Sequence, residues 1–294
     1  MSNYDFSIIG GDKRLVYMAE FFIEKGFSVI SYSPCLPQEI FPEADSLETA
    51  LSSSNAVICP IPFSRDKKNI LSLNNLDSTK DLSISTLKDS LNPHHLLFAG
   101  CIPLELMAYG EESGIFMYDY MLNEELTLYN TIATAEGAIA EAIKYQPTNM
   151  HESKCLILGF GRCAKTLALK LKGLAADVTI CARSITALAE ADTLGCKTMS
   201  FDTLEADINS FEYIFNTIPQ MVLSDSHLKK ISKDSLLIDI APGGFDFELS
   251  RSLGLNSHLS LGLPGKYSPK SSALVLANAT LAICSAVTNS SPNE

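Results

Sequence analysis

Residues 154–184 read KCLILGFGRCAKTLALKLKGLAADVTICARS, and the reading of this stretch decides the fold. Residues 155–158 are an apolar run that stops at Gly159-Phe160-Gly161-Arg162-Cys163-Ala164, a G-x-G-x-x-A turn. In such a turn Gly159 makes the tight reversal and Gly161 lets the backbone approach a pyrophosphate. Ala164 is small enough for the following helix to close on the strand, with the N-terminus of that helix toward the phosphates. A helical stretch follows, and then a second strand at residues 177–181. A glycine triplet alone is weak, but strand, turn, helix and strand together form half of a dinucleotide-binding fold. Gly159, Gly161, Arg162 and Cys163 are therefore candidate cofactor contacts.

The end of the second strand selects the dinucleotide. NAD sites place an acid there for the ribose 2′-hydroxyl, whereas NADP sites place a cation for the 2′-phosphate. This strand runs into Ala182-Arg183-Ser184, with no acid at its tip. Arg183 can stack on adenine and pair with the phosphate, Ser184 adds a hydroxyl, and Arg162 is a second cation nearby. The plainer reading of Arg183 is a solvated strand-end residue. NADP is the favoured cofactor and NAD the alternative.

The 294 residues fit two domains of ordinary size, and 46% hydrophobic content supplies their cores. A formal charge of −12 argues against nucleic acid and anionic membrane as partners. The eight cysteines include no C-x-x-C pair, and the five histidines show no metal-ligand spacing. No metal site is expected. The amino-terminal residues lack the features of a signal peptide, and no uninterrupted apolar run suits a membrane span. The expected location is the cytoplasm.

Strand and helix alternate in the first part too. Residues 4–9 form a strand ending in Gly10-Gly11-Asp12, then comes a helix up to Gly26 and a strand at 27–32. Further apolar runs lie at 55–61, 95–99 and 115–118, while 67–92 is polar loop with a short helix. Residues 129–145 read as a helix, and Pro147 breaks the chain before the glycine turn. Strands at 212–215, 235–240 and 257–261 open on Asn216-Thr217-Ile218-Pro219, Ala241-Pro242-Gly243-Gly244 and Gly262-Leu263-Pro264-Gly265. These tips lie at the carboxyl side of a parallel sheet, where nicotinamide and substrate belong, so Thr217, Ile218, Pro219 and Ala241 join the cofactor candidates. The fold class is α/β with two doubly wound Rossmann-like domains. Residues 1–147 form a flavodoxin-like substrate domain completed by a closing helix within 268–294, and 148–267 form the NADP domain. Residues 289–294 read as a frayed tail.

Over nearly the whole chain, the motifs resemble those of one family, the A-type subunit of dipicolinate synthase. They are Ile8-Ile9-Gly10-Gly11-Asp12-x-Arg14, Thr134-Ala135-Glu136-Gly137, the glycine turn, Ala182-Arg183-Ser184, Asn216-Thr217-Ile218-Pro219, Pro242-Gly243-Gly244 and Gly262-Leu263-Pro264-Gly265 with Ser268-Pro269-Lys270. Departures occur at Ser268, at 271–273 and in a shortened segment before Pro242. The resemblance implies oxidation of a dihydro- or hydroxytetrahydro-dipicolinate to pyridine-2,6-dicarboxylate in the mother cell of a spore former. It also implies a small partner, the B-type subunit of dipicolinate synthase, and the cleft architecture of D-2-hydroxyacid dehydrogenases. Homodimerisation is left open.

That chemistry needs cations for two carboxylates and a group to take a proton. Arg14 follows a strand-tip turn and reads equally as a carboxylate fork or a solvated helix residue. Arg65 has the same two readings, and Ser64 beside it is a hydroxyl donor. Glu136 falls on the stripe of Ile132, Ile139 and Ile143, so it should face the packed or cleft side as an acid or base. Otherwise Thr134 is an N-cap and Glu136 complements the helix dipole in the first turn. Thr134, Lys266 and Lys270 complete the substrate candidates, and both lysines also read as surface residues. Two rivals stand beside this reading: a shikimate dehydrogenase-like enzyme, and a non-catalytic NADP-binding subunit.

Overall fold

The computed structural model of the chain describes residues 4–35, 40–73 and 79–290. Two compact units emerge: Met1–Tyr129 with Ser268–Glu294, and Asn130–Tyr267. Most of the segment read as a tail, 291–294, lies outside the described residues.

In the first unit the order is β1 (Phe6–Ile9), α1 (Lys13–Glu24), β2 (Val29–Tyr32), α2 (Leu47–Ser52) and β3 (Ala56–Ile58). It continues through α3 (Ile84–Ser90), β4 (Leu96–Ala99), α4 (Leu104–Ser113) and β5 (Phe116–Asp119). The five strands are parallel in the order β2-β1-β3-β4-β5, a flavodoxin-like arrangement. Strand alternation sends Phe6 and Ile8 to one face, where they pack with α1 residues such as Met18 and Phe22. Ile9, Val57 and Leu97 pack on the other face with Leu47, Leu87 and Leu106. Ser46 and Ser83 cap α2 and α3 by accepting from the amides of Thr49 and Thr86.

The long helix α5 (Glu124–Tyr145) leads into the second unit. There β6 (Lys154–Leu158), α6 (Arg162–Gly173), β7 (Asp177–Cys181), α7 (Ile185–Thr193) and β8 (Lys197–Met199) form the first half. The second half is α8 (Phe201–Asp207), β9 (Tyr213–Asn216), α9 (Asp225–Lys230), β10 (Leu236–Asp239), α10 (Phe247–Ser252), β11 (Asn256–Leu259) and α11 (Leu263–Tyr267). The strands are parallel in the order β11-β10-β9-β6-β7-β8, two mononucleotide-binding halves that meet between β6 and β9. The chain is thus two parallel-sheet α/β domains.

Two boundaries differ from the sequence reading. The division falls at Asn130, inside α5, and not at Pro147. Ala135, Ala138 and Ala142 pack with Cys155 and Ile157, so the helix already belongs to the second unit; Pro147 only follows its end. The stretch after β11, read as a loop, forms α11, and α12 (Pro269–Ser290) starts directly behind it. Along α12, Ala273, Leu276 and Ala277 join the α1 cluster, and Thr280 Oγ1 meets Tyr120 Oη at 2.6 Å. Residues Pro269–Val287 are long and apolar enough to cross a membrane by length and composition alone, although they contain no uninterrupted apolar run of that length. The cause is a closing helix made largely of small and aliphatic residues, interrupted by Lys270, Ser271, Ser272, Asn278, Thr280 and Ser285.

Candidate cofactor site and the residues around it

The glycine turn after β6 has the backbone that a pyrophosphate site requires. Gly159 adopts φ +95, and a Cβ there would lie 2.8 Å from both Thr217 Oγ1 and Ile218 Cγ1. Glycine is therefore demanded twice, by conformation and by space. Gly161 is the N-cap of α6 and supplies no side-chain cap. A Cβ at Gly161 would meet no described atom within 4 Å, so the space before the helix is open. An uncapped helix N-terminus facing open space binds anionic phosphate through backbone amides and the helix dipole. Ala164 is fully buried and lets α6 close on the sheet. The donor set thus fits a dinucleotide. Arg162 is exposed, and Cys163 is half-buried with its thiol pushed up by burial, against the pull of Arg162.

At the neighbouring tip of β7, Arg183 is exposed, with its guanidinium carbon 5.7 Å from the ring centroid of Phe201. Ser184 caps α7 by accepting from Ala187 N at 3.3 Å, which leaves its hydroxyl proton to donate. A stacked cation and a hydroxyl donor stand where an NAD site would carry an acid.

Across the sheet, Thr217 Oγ1 donates to Leu158 O at 2.8 Å and holds the β9 tip against the glycine turn. Ile218 is half-buried and Pro219 exposed. Two further polar residues are fully buried: Asn216, at the end of β9, and Asp239, at the end of β10. Asn216 Nδ2 donates to Asp239 Oδ1 (2.7 Å), Ile218 O (2.9 Å) and Ala241 O (3.2 Å). Asp239 also accepts from the amides of Ala241 (3.0 Å) and Gly244 (3.1 Å). Burial pushes the Asp239 carboxyl above its ordinary range, opposed by the hydrogen bonds from Asn216, Gly244 and Ala241. The sequence reading did not single out this pair.

Glu136 is corrected by the structure. Its side chain is 52% exposed and pairs with Lys170 at 2.8 Å, so it is not desolvated. The packed face of α5 is the alanine face, while Ile132 and Ile143 are themselves exposed. Gly137 sits on that packed face, where a Cβ would lie 2.7 Å from Leu263 Cβ of α11. Small residues mark the close approach; the isoleucine stripe does not. Thr134 lies well inside α5 and is no N-cap; its hydroxyl donates to Asn130 O at 2.8 Å.

The buried acid of this helix is Glu141, with a side chain only 2% exposed. It accepts from Lys266 Nζ and, at 2.9 Å, from Tyr267 Oη. Burial raises the Glu141 carboxyl, but the hydrogen bonds from Lys266, Tyr267 and Tyr145 win and leave it lowered. Lys266 is raised, chiefly by its hydrogen bond to Glu141. Lys266, a substrate candidate by sequence, is thus engaged by an internal acid. The signal available in the sequence was an acid within the small-residue spacing Ala135, Ala138, Ala142.

In the first unit, Asp12 caps α1 by accepting from Arg14 N at 2.9 Å. The Arg14 side chain, only 5% exposed, donates from Nε to Asp12 Oδ1 (3.0 Å) and from Nη2 to Asp12 Oδ2 (2.8 Å) and to Ile61 O. The solvated reading of Arg14 is therefore excluded. The fork is largely taken by Asp12, and Nη1 carries no hydrogen bond among the described residues. Ser64 donates to Asp66 Oδ1 at 3.1 Å and accepts from Lys67 N, within a loop ordered by Asp66. Hydrogen bonds from Asn69 and Lys68 hold the Asp66 carboxyl well below the usual range. Arg65 is exposed, with no ion pair among the described residues. Lys270 is exposed in the first turn of α12.

A flavodoxin-like unit joined to a Rossmann unit with an open glycine turn is the architecture of a nicotinamide dinucleotide-dependent dehydrogenase. The NAD-binding domain of D-isomer specific 2-hydroxyacid dehydrogenases matches residues 122–246. The N-terminal domain of the A-type subunit of dipicolinate synthase matches residues 5–121. The chain is 27% identical over 287 residues to that subunit from Bacillus subtilis (strain 168), covering 92% of this chain and 93% of the relative. The crystal structure of the same subunit from Bacillus halodurans superposes with a TM-score of 0.82 at 23% identity, covering 96% of this chain and 98% of that one. An NAD-complexed D-isomer specific 2-hydroxyacid dehydrogenase from Lactobacillus delbrueckii ssp. bulgaricus gives a TM-score of 0.59 at 9% identity, covering 96% and 97% of the two chains. In both of its domains, then, the chain resembles the A-type subunit of dipicolinate synthase.

Proposed function

We propose that this chain oxidises a dihydro- or hydroxytetrahydro-dipicolinate to pyridine-2,6-dicarboxylate, with NADP as acceptor, in the cytoplasm of a spore-forming mother cell. Its partner in this reading is the B-type subunit of dipicolinate synthase. The observation that carries the reading is the relation to the A-type subunit of that enzyme over 92% of the chain. When bound, the dinucleotide supplies a hydride acceptor. Gly159, Gly161, Arg162 and Cys163 would hold its pyrophosphate, and Arg183 with Ser184 its 2′-phosphate. Thr217, Ile218, Pro219 and Ala241 would border its nicotinamide half. A dihydro substrate loses a hydride to the cofactor and a proton to a base or water, and closes an aromatic π system; a hydroxytetrahydro substrate must in addition eliminate its hydroxyl with a ring proton as one water. Aromatisation favours the product, so orientation matters more than base strength. An exposed Glu136, held by Lys170, meets that modest demand as proton acceptor.

Arg14 Nη1, Ser64, Arg65, Thr134 and Lys270 are the proposed donors to substrate carboxylates. Lys266 is removed from that set because Glu141 engages it.

The test mixes the chain, its B-type partner, NADP⁺ and freshly generated lysine-pathway precursor. Ultraviolet absorbance of the pyridine product should rise in step with NADPH. Turnover of shikimate or a simple 2-hydroxy acid, with the precursor untouched, would refute the reading; activity confined to the B-type partner would make this chain a non-catalytic component. For the cofactor, Arg183→Ala should remove about 1.5–3 kcal/mol, at least tenfold, from NADP binding and leave NAD nearly unchanged. Equal wild-type affinities for NADP and NAD would end the NADP assignment.

A further inference from the structure

The two halves of the second unit are shaped by different means. The half built on β6, β7 and β8 has the glycine turn. The half built on β9, β10 and β11, which borders the nicotinamide side of a dinucleotide, has no glycine fingerprint; its strand tips are tied by side chains. Asn216 and Asp239 are both fully buried at adjacent tips, bonded at 2.7 Å across 23 residues of sequence. Asn216 grips Ile218 from both sides, since its Oδ1 also accepts from Ile218 N at 3.1 Å. Asp239 holds the opposite loop through the amides of Ala241 and Gly244. Gly244 O in turn accepts from Val222 N and Leu223 N, so the chain beyond Pro219 is tied in as well. A Cβ at Gly244 would lie 2.1 Å from Asn216 Nδ2, so only glycine lets the loop close on the pair. Ser260 N donates to Asp239 O at 2.8 Å and brings in the end of β11.

The geometry points to Asn216 and Asp239 as a buried clamp that positions the loops around the nicotinamide half of the cofactor, and to Asp239 as a positioning residue with no part in proton transfer. This rests on the dinucleotide reading of the second unit. Asp239 receives donors only, from Asn216, Ala241 and Gly244, which is the pattern of an ionised carboxylate with no proton to give. No cation is among its partners in the described residues. A buried carboxylate without a cation costs stability, and here it delivers a fixed loop shape. Through Thr217 Oγ1 and Leu158 O the clamp also abuts the glycine turn, so both halves of the cofactor bed share one frame.

Asp239→Asn keeps an oxygen for Asn216 Nδ2 and Ala241 N but turns an amide toward Gly244 N, so it releases the Gly244 arm alone. Gly244→Ala pushes the same loop away while both polar residues stay. Calorimetric titration with NADPH and with the adenine-side fragment 2′,5′-ADP tests the idea, with NADH and 5′-ADP as substitutes if the wild type prefers NAD. Each variant should weaken the whole dinucleotide at least tenfold and leave the fragment within twofold of wild type. Equal loss for both ligands would mean general damage to the unit and overturn the clamp, as would no loss for either. A wild type that binds neither NADPH nor NADH would overturn the dinucleotide reading itself, a failure visible before any variant is made.

Discussion

In each unit the first strand in chain order runs into a glycine turn and a helix, yet the two turns serve opposite ends. At β1 the turn is closed. Gly11 donates to Leu71 O and accepts from Leu73 N, and a Cβ at Gly10 would lie 2.6 Å from Leu71 O. Asp12 caps α1 and binds the Arg14 guanidinium, so the helix N-terminus already has its anion. At β6 no described residue covers Gly161, and α6 has no side-chain cap. The motif thus does not become a cofactor site by having glycines. It becomes one where the N-cap contributes no carboxylate and no neighbouring segment covers it. A cap residue and one loop separate a structural turn from a binding one.

The largest expected effect comes from opening the closed turn. Asp12→Ala strips Arg14 of its bidentate partner and α1 of its cap, leaving a buried cation on Ile61 O alone. Breaking such a pair costs about 3–5 kcal/mol, so chemical denaturation should show a large loss of stability with dinucleotide affinity unchanged. A loss below about 1 kcal/mol would mean the pair is incidental. Closing the open turn is the converse. Gly161→Asp gives α6 the cap that α1 has, at a backbone conformation any residue tolerates. Thermal stability should hold or rise, while a negative charge in the pyrophosphate bed should cost about 3 kcal/mol, more than a hundredfold in dinucleotide affinity. Unchanged affinity would place the pyrophosphate elsewhere.

A smaller effect separates the two members of the pair that joins α5 to α11. Lys266→Met leaves Glu141 buried without its cation and should cost about 2–3 kcal/mol. Glu141→Gln frees a half-exposed lysine to water and should cost only about 1–2 kcal/mol. The pH dependence has two limbs. Glu141 is lowered from 4.5, so its contribution is present above that value and fades as pH falls through the folded value. Lys266 is raised from 10.5, so its contribution is present below that value and fades as pH rises beyond it. The melting-temperature gap between wild type and Glu141→Gln should therefore be flat between roughly pH 5 and 10 and shrink on either side. A gap that widens in acid would contradict the pairing.

The amino-acid sequence by itself determined the alternation of strand and helix, both parallel sheets and the glycine turn of the second unit. These depend on near neighbours: apolar runs, glycines with left-handed or open backbone, and the absence of an acid after β7. The edge strand β8 was invisible because Lys197-Thr198-Met199 has no apolar run, and α11 because Pro264 and Gly265 read as a turn. Which face of α5 is buried was misjudged, since isoleucines outweighed alanines on the helical wheel. Only the tertiary structure decided that Nε and Nη2 of Arg14 are held by Asp12 and Ile61, that Lys266 rests on Glu141 across 125 residues, and that Asn216 meets Asp239. The physical reason is common to all three. A buried polar group must find its partner wherever the fold brings one, and the spacing of residues along the chain carries no record of that meeting.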